Sequence, residues 1–245
     1  MAPDSGFRDA ICDAPQSGSS NPKIEPEQKP GKKSTTPTAD RYTRLPLTAY
    51  RGQMTDSEYS GIFTFEGDWE PDLKDKSSIR PNLETLRDAY GIKFIHRQIG
   101  TPGELRYYVE KWLKKGKGNY RHYRVGHFAL HGSPGMLWPG EGKVGVSFKK
   151  LQGWINEGAK GRVIFFDSCS TIDISAKKIQ AFLDKTKARA VVGFTKEVDW
   201  LESAAFELLV LDALAYFESP KKAELYLKEK YEEFVDRLGL TFHHA

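Results

Sequence analysis

Cysteine is nearly absent: the chain of 245 residues has two, Cys12 and Cys169. One such pair cannot frame a disulfide-stapled fold, which implies a reducing, cytoplasmic setting with Cys169 a free thiol. No apolar run approaches the roughly 18 residues of a membrane span. The N-terminus lacks the apolar centre of a signal peptide, so no membrane association is expected. No internal repeat is visible. Gly132-Ser133-Pro134-Gly135 is not followed by Lys-Ser/Thr and so is no phosphate loop. His96 and His122 have no partners at metal-ligand spacing, and neither a metal nor another cofactor is expected. Excess charge is also scarce, with 37 Lys and Arg against 33 Asp and Glu. The lysines are scattered rather than striped, and nucleic acid is not an expected partner.

What is present is ordinary globular material, 39% apolar and 29% charged. Residues 1–44 are the exception. They are rich in Pro, Ser, Thr, Gly, Lys and Asp and cannot bury enough surface to offset ordering entropy. A disordered N-terminal tail is expected there, with Cys12 an incidental exposed thiol, and a single domain over 45–245. Residues 46–58 are ambiguous.

The rest alternates between strand and helix patterns. Gly-bounded Ile62-Phe63-Thr64-Phe65-Glu66 reads as a strand. Ser78 to Tyr90 carries Ile79, Leu83, Leu86 and Tyr90 at helical spacing, with Pro81 early and Gly91 at the end. Ile92 to Ile99 is a second strand, Gly103 to Lys115 a helix, and Arg124 to Leu130 a third strand. A loop with a small hairpin is expected over 133–148, and then a helix to Glu157. Arg162–Phe166, Ser175–Thr186, Ala190–Phe194 and Trp200–Phe217 complete two more strand–helix pairs. Lys221–Leu238 reads as one amphipathic helix, and His243-His244 as an unanchored tail. Strands alternating with helices of this length imply an α/β fold, a mostly parallel sheet covered on both faces.

Sites in such sheets form beyond the carboxyl ends of the strands. The third strand ends in His131-Gly132 and the fourth in Asp167-Ser168-Cys169-Ser170, which places an imidazole and a thiol at one rim. A thiol attacks carbonyls as thiolate, and a nearby imidazole can take its proton and later protonate the leaving amine. His131 as base and Cys169 as nucleophile suit those roles, with the N–H groups of Gly132 and Cys169 as oxyanion donors. For each residue alone, a structural role in a doubly wound binding domain remains the alternative.

These segments resemble the caspase-like cysteine peptidases, above all the metacaspases and the bacterial CHAT peptidases. His127-Phe128-Ala129-Leu130-His131-Gly132 is similar to the CHAT pattern His-x-Ala-x-His-Gly, and Asp167-Ser168-Cys169 to the metacaspase Asp-Ser-Cys. The segment from Val191 to Phe206 resembles the CHAT segment after its fifth strand. The likeness covers roughly residues 60–217 and implies a caspase-like three-layer α/β/α sandwich. It also implies endopeptidase activity on a protein substrate, with latency that an activating protein partner relieves. The Gln-Ala-Cys signature of caspases is absent, so the resemblance does not imply cleavage after Asp. The metacaspase His-Ser-Gly is replaced by Ser170-Thr171-Ile172.

In metacaspase-like enzymes the acid two residues before the cysteine pairs with a basic P1 side chain, and Asp167 holds that position. Asp199 or Glu197 would add a second acid, although Asp199 also suits a helix N-cap before Trp200. Trp138, in the loop after His131, is the expected aromatic substrate contact. His127 is a recurrent site neighbour in the family; by itself it reads as a hydrogen-bonded core histidine. An inactive caspase-like interaction module is the main rival to an enzyme.

Overall fold

The structure is a computed structural model and describes residues 59–72, 74–114, 120–140 and 144–245. The expected tail over 1–44, the ambiguous stretch 46–58 and Cys12 lie outside the described residues.

Strands and helices alternate as the hydrophobic periods require. In order they are β1 (Ile62–Gly67), α1 (Arg80–Tyr90), β2 (Phe94–Ile99), α2 (Pro102–Leu113) and β3 (Val125–Ala129). Three short strands follow, β4 (His131–Ser133), β5 (Met136–Trp138) and β6 (Val146–Ser147). The chain continues with α3 (Phe148–Ile155), β7 (Val163–Asp167), α4 (Ala176–Thr186), β8 (Ala190–Phe194), α5 (Trp200–Tyr216), α6 (Pro220–Lys230), α7 (Glu232–Leu238) and β9 (Leu240–His244). The main sheet has the order β2-β1-β3-β7-β8-β9, its first five strands parallel and β9 antiparallel to β8.

Each central strand is buried on both faces, so alternate residues feed two cores. Ile62, Val125, Val163, Phe165, Val192 and Phe194 pack with residues of α1, α5, α6 and α7, such as Leu86, Val210, Leu227 and Val235. Phe63, Phe65, Phe128, Ile164, Phe166 and Val191 pack with residues of α2, α3 and α4, such as Val109, Leu151 and Phe182. The result is the expected α/β/α sandwich around a mostly parallel sheet. Gly126 makes room in the second core: a Cβ there would lie 2.7 Å from two carbons of the Trp112 ring. Fully buried Trp112 can thus lie across β3 with its indole N–H donating to the Tyr123 carbonyl at 2.8 Å.

Three expectations are corrected. The helix over Lys221–Leu238 is two, separated at Tyr231, which leaves helical backbone at φ −138° and sets its ring edge-on to Phe206 and Tyr226. The small hairpin becomes a three-stranded sheet, β4-β5-β6, that begins already at His131. His243-His244 is no loose tail but the end of β9. Five residues carry too little pattern to read as a strand, and the free edge of β8 supplies their hydrogen-bond partners. His244 Nε2 also meets the Glu224 carboxylate of α6 at 2.8 Å.

Candidate active site

The parallel pairing of β3 with β7 sets Ala129 opposite Asp167. His131 and Cys169 each follow two residues later, so both strands deliver their functional group to one rim. The turns beyond them are in contact. A Cβ on Gly132 would lie 2.6 Å from the Cys169 carbonyl oxygen and 2.9 Å from Ser168 Cβ, and nearer still to Thr171 Oγ1. Glycine is what lets the His131-Gly132 backbone approach the cysteine this closely.

The cysteine turn is pinned on both sides. Gly135 N–H donates to the Thr171 carbonyl, and Ser170 N–H to the Lys196 carbonyl in the loop after β8, each at 2.9 Å. Ser168 Oγ donates to Thr171 Oγ1 at 2.8 Å. Directly after the cysteine, Ser170 adopts φ +44°, a left-handed conformation uncommon for a non-glycine residue. Cys169 is half-buried, with Sγ 4.0 Å from the Val198 carbonyl oxygen.

His131 is exposed, and its Nε2–H donates to the Trp69 carbonyl at 2.7 Å. That bond places the proton of the neutral ring on Nε2 and leaves Nδ1 with the lone pair of a base. The Trp69 ring stands edge-on to the imidazole at 5.4 Å. Trp69 is itself held by Glu66 at the end of β1. The buried Glu66 carboxylate accepts from Trp69 Nε1, Ser78 Oγ and the Ile79 N–H, each at 2.7 Å, and from His96 Nε2. Burial pushes the Glu66 carboxyl up, but these donors, His96 first, bring it below the usual carboxylate range.

His131, Asp167 and Cys169 line one pocket of ≈130 Å³. Its walls include Trp69, Ile79, Leu130, Val198 and Trp200, and the buried Asp167 and Glu207 also line it. Behind it sits His127, completely buried, with Nε2 3.2 Å from Asp167 Oδ2, 3.7 Å from Glu207 Oε1, and Nδ1 3.2 Å from Thr64 Oγ1. Glu207 projects from α5 and receives the Asn82 amide N–H at 3.4 Å on Oε2. Its Oε1 is buried without a hydrogen-bond partner. Burial first, then the charge of Asp167, pushes the Glu207 carboxyl well above the usual carboxylate range. His127, Asp167 and Glu207 offer ligand atoms all within 4.8 Å of one another, the set among the described residues that could hold a metal. No sequence motif announces it because the three donors come from β3, β7 and α5.

The other expected contacts lie elsewhere. The Asp199 carboxylate caps α5, accepting from the N–H groups of Leu201 at 2.9 Å and Glu202 at 3.0 Å, while its neighbours Val198 and Trp200 face the pocket. Trp138 pairs with His131 across β4 and β5, and its indole N–H donates to Ser133 Oγ at 3.1 Å; it is not part of the pocket wall. Sequence reasoning missed Glu66, Trp69 and Glu207. A lone carboxylate within an apolar helix, Ala204-Ala205-Phe206-Glu207-Leu208-Leu209, is a signal that could have found the last; nothing marks Trp69.

Among the described residues, no helix is long and apolar enough to cross a membrane. No curated protein matches the chain. Solved structures similar to it include the following two. The crystal structure of caspase-1 from Spodoptera frugiperda is 13% identical with a TM-score of 0.41, over 65% of this chain and 70% of that one. The structure of pro-sf-caspase-1 is 11% identical with a TM-score of 0.44, over 74% of this chain and 84% of that one. Residues 59–241 match the model of a family of unknown function, DUF6642, and the chain belongs to that family.

Proposed function

We propose that the chain is a caspase-like cysteine endopeptidase that cleaves protein substrates after Lys or Arg. The observation that carries this reading is the meeting of two strand ends: His131 and Cys169 line one pocket, and Gly132 abuts the Cys169 carbonyl. His131 Nδ1 takes the thiol proton, and the thiolate attacks the scissile carbonyl. The N–H groups of Gly132 and Cys169 stabilise the oxyanion. The imidazolium then protonates the leaving amine, and a water activated by the same nitrogen hydrolyses the thioester. The Trp69 carbonyl holds the ring in the required tautomer throughout. The pocket has apolar walls for an aliphatic stem and a buried carboxylate, Asp167, for a cationic head. An activating protein partner belongs to the proposal, since enzymes of this type are commonly latent.

The test is a peptidyl acyloxymethyl ketone with Lys or Arg at P1, applied to the full chain alone and with cell extract as a source of activator. Labelling is expected to be lost in Cys169→Ala and His131→Ala and kept in Cys12→Ala. Labelling that survives Cys169→Ala, or none under either condition, refutes the reading.

A further inference from the structure

We propose that the groove at the amino end of β7, the opposite end of that strand from Cys169, binds an oligophosphate anion, with the buried Arg162 guanidinium as its fixed contact. The proposal goes beyond the peptidase reading and uses none of its residues.

The first observation is a buried cation without a counter-ion. Arg162 directly precedes β7 and is 7% exposed. Its Nη1 donates to the Trp112 carbonyl in the last turn of α2 at 2.8 Å, and the guanidinium lies over the Trp112 ring at 4.8 Å. A helix carbonyl and a ring face carry only fractional negative charge. Burial pulls the guanidinium down to about 10, and no carboxylate among the described residues offsets it. Arg162 is still charged at neutral pH, and Trp112 uses one donor of a fork that has five. A buried charge in that state gains from any anion that reaches it.

The second observation is the groove itself, of ≈1200 Å³. Arg162 lines it with Lys114, Arg121, Lys160 and Lys187, against the acids Glu157 and Asp184. The whole chain has 37 cationic to 33 acidic side chains, so five against two in one groove is a local concentration and not a reflection of composition. Several cations around one space suit a ligand with several negative charges; a single carboxylate would leave most of them unanswered. A guanidinium fork matches two oxygens of one phosphoryl group, and ammonium groups add point charges for its neighbours.

The third observation is the backbone that presents the cations. Residues 159–162 form a type II turn, with Lys160 at φ −54° and ψ 124°, Gly161 at φ +80°, and the Arg162 N–H donating to the Ala159 carbonyl at 2.9 Å. Lys160 and Arg162 thus flank the one glycine that the turn requires. Directly after α4, Lys187 is left-handed at φ +59°, a position that glycine ordinarily fills. Lysine is a disfavoured residue for that cap, and it brings a further cation to the groove.

The test is calorimetric titration of the full-length protein with sodium tripolyphosphate and, separately, with ATP, in low-salt buffer free of phosphate. One site per chain is expected, weakening as NaCl is added. Lys160→Glu/Lys187→Glu should lower the affinity by about 10-fold or more. Lys177→Glu/Lys178→Glu makes the same charge change at the other end of α4 and should leave the affinity unaltered. Arg162→Gln should abolish binding and Arg162→Lys restore part of it, with urea unfolding as the check that each is folded. If Arg162→Gln does not fold, the two lysine pairs decide. ATP bound no more tightly than tripolyphosphate assigns the phosphate chain alone as the ligand, and tighter ATP binding assigns a nucleotide; both support the site. No binding of either ligand, parental affinity in Lys160→Glu/Lys187→Glu or in folded Arg162→Gln, or an equal loss in Lys177→Glu/Lys178→Glu overturns it. A protein that labels with a peptidyl probe and binds no oligophosphate refutes this proposal alone; one that binds oligophosphate and never labels refutes only the peptidase reading.

Discussion

Gly132→Ala is the sharpest probe of how the site is assembled. The new methyl would meet the Cys169 carbonyl oxygen at 2.6 Å and Ser168 Cβ at 2.9 Å. Relief to an ordinary contact of about 3.4 Å moves the two turns apart by about 0.8 Å at the carbonyl. The carbonyl cannot swing away cheaply, because Ser170 N–H is tied to Lys196 and Gly135 N–H to Thr171 on either side of the turn. Overpacking of this kind costs about 1–3 kcal/mol of stability. The larger effect falls on the chemistry, since a displacement of about 1 Å between reacting groups can cost about 100-fold in rate. The assay is the second-order rate of Cys169 alkylation by iodoacetamide as a function of pH, with urea unfolding measured on the same protein. Gly132→Ala is expected to stay folded, to lose about 1–3 kcal/mol, and to show a pH profile closer to that of His131→Ala than to that of the parent. A variant with parental stability and an unchanged alkylation profile would show that the turns are not in contact and would refute the reasoning.

Further outcomes follow from the structure. Glu66→Ala strands four donors in a buried place and should destabilise by about 3–5 kcal/mol by urea unfolding. Because the folded carboxyl of Glu66 lies below its ordinary range, its contribution is present above the unfolded pKa and is lost as pH falls through the folded one. The parent should therefore lose stability in acid more steeply than Glu66→Gln. Asp199→Ala removes the α5 cap and should cost about 1 kcal/mol in unfolding while leaving P1 preference unchanged, whereas Asp167→Asn should erase the preference for basic P1 probes. Glu224 is drawn down to about 2, burial opposing and Lys221, Lys228 and His244 prevailing; Glu224→Gln should raise amide exchange across Leu240–His244 in hydrogen–deuterium exchange, and unchanged protection would exclude Glu224 as the anchor of β9.

The sequence by itself determined the layered α/β/α fold and most of its elements, because central strands such as Arg162–Phe166 and helices such as Ser175–Thr186 advertise themselves through period and length. It also put His131 and Cys169 at strand ends, which is local information. Their adjacency is not local. It depends on β3 pairing with β7, with an entire helix between them in the chain, and only the sheet decides that. The same holds for Trp69, whose backbone carbonyl orients His131 and carries no side-chain signature, and for Glu207, which α5 carries to Asp167 from 40 residues downstream. Asp199 shows the opposite limit: an acid beside a pocket in sequence serves the helix it begins, because two N–H donors of that helix reach it first. Periodicity and turn chemistry are written along the chain; which buried groups meet across elements, as His127, Asp167 and Glu207 do, is settled only by the tertiary packing.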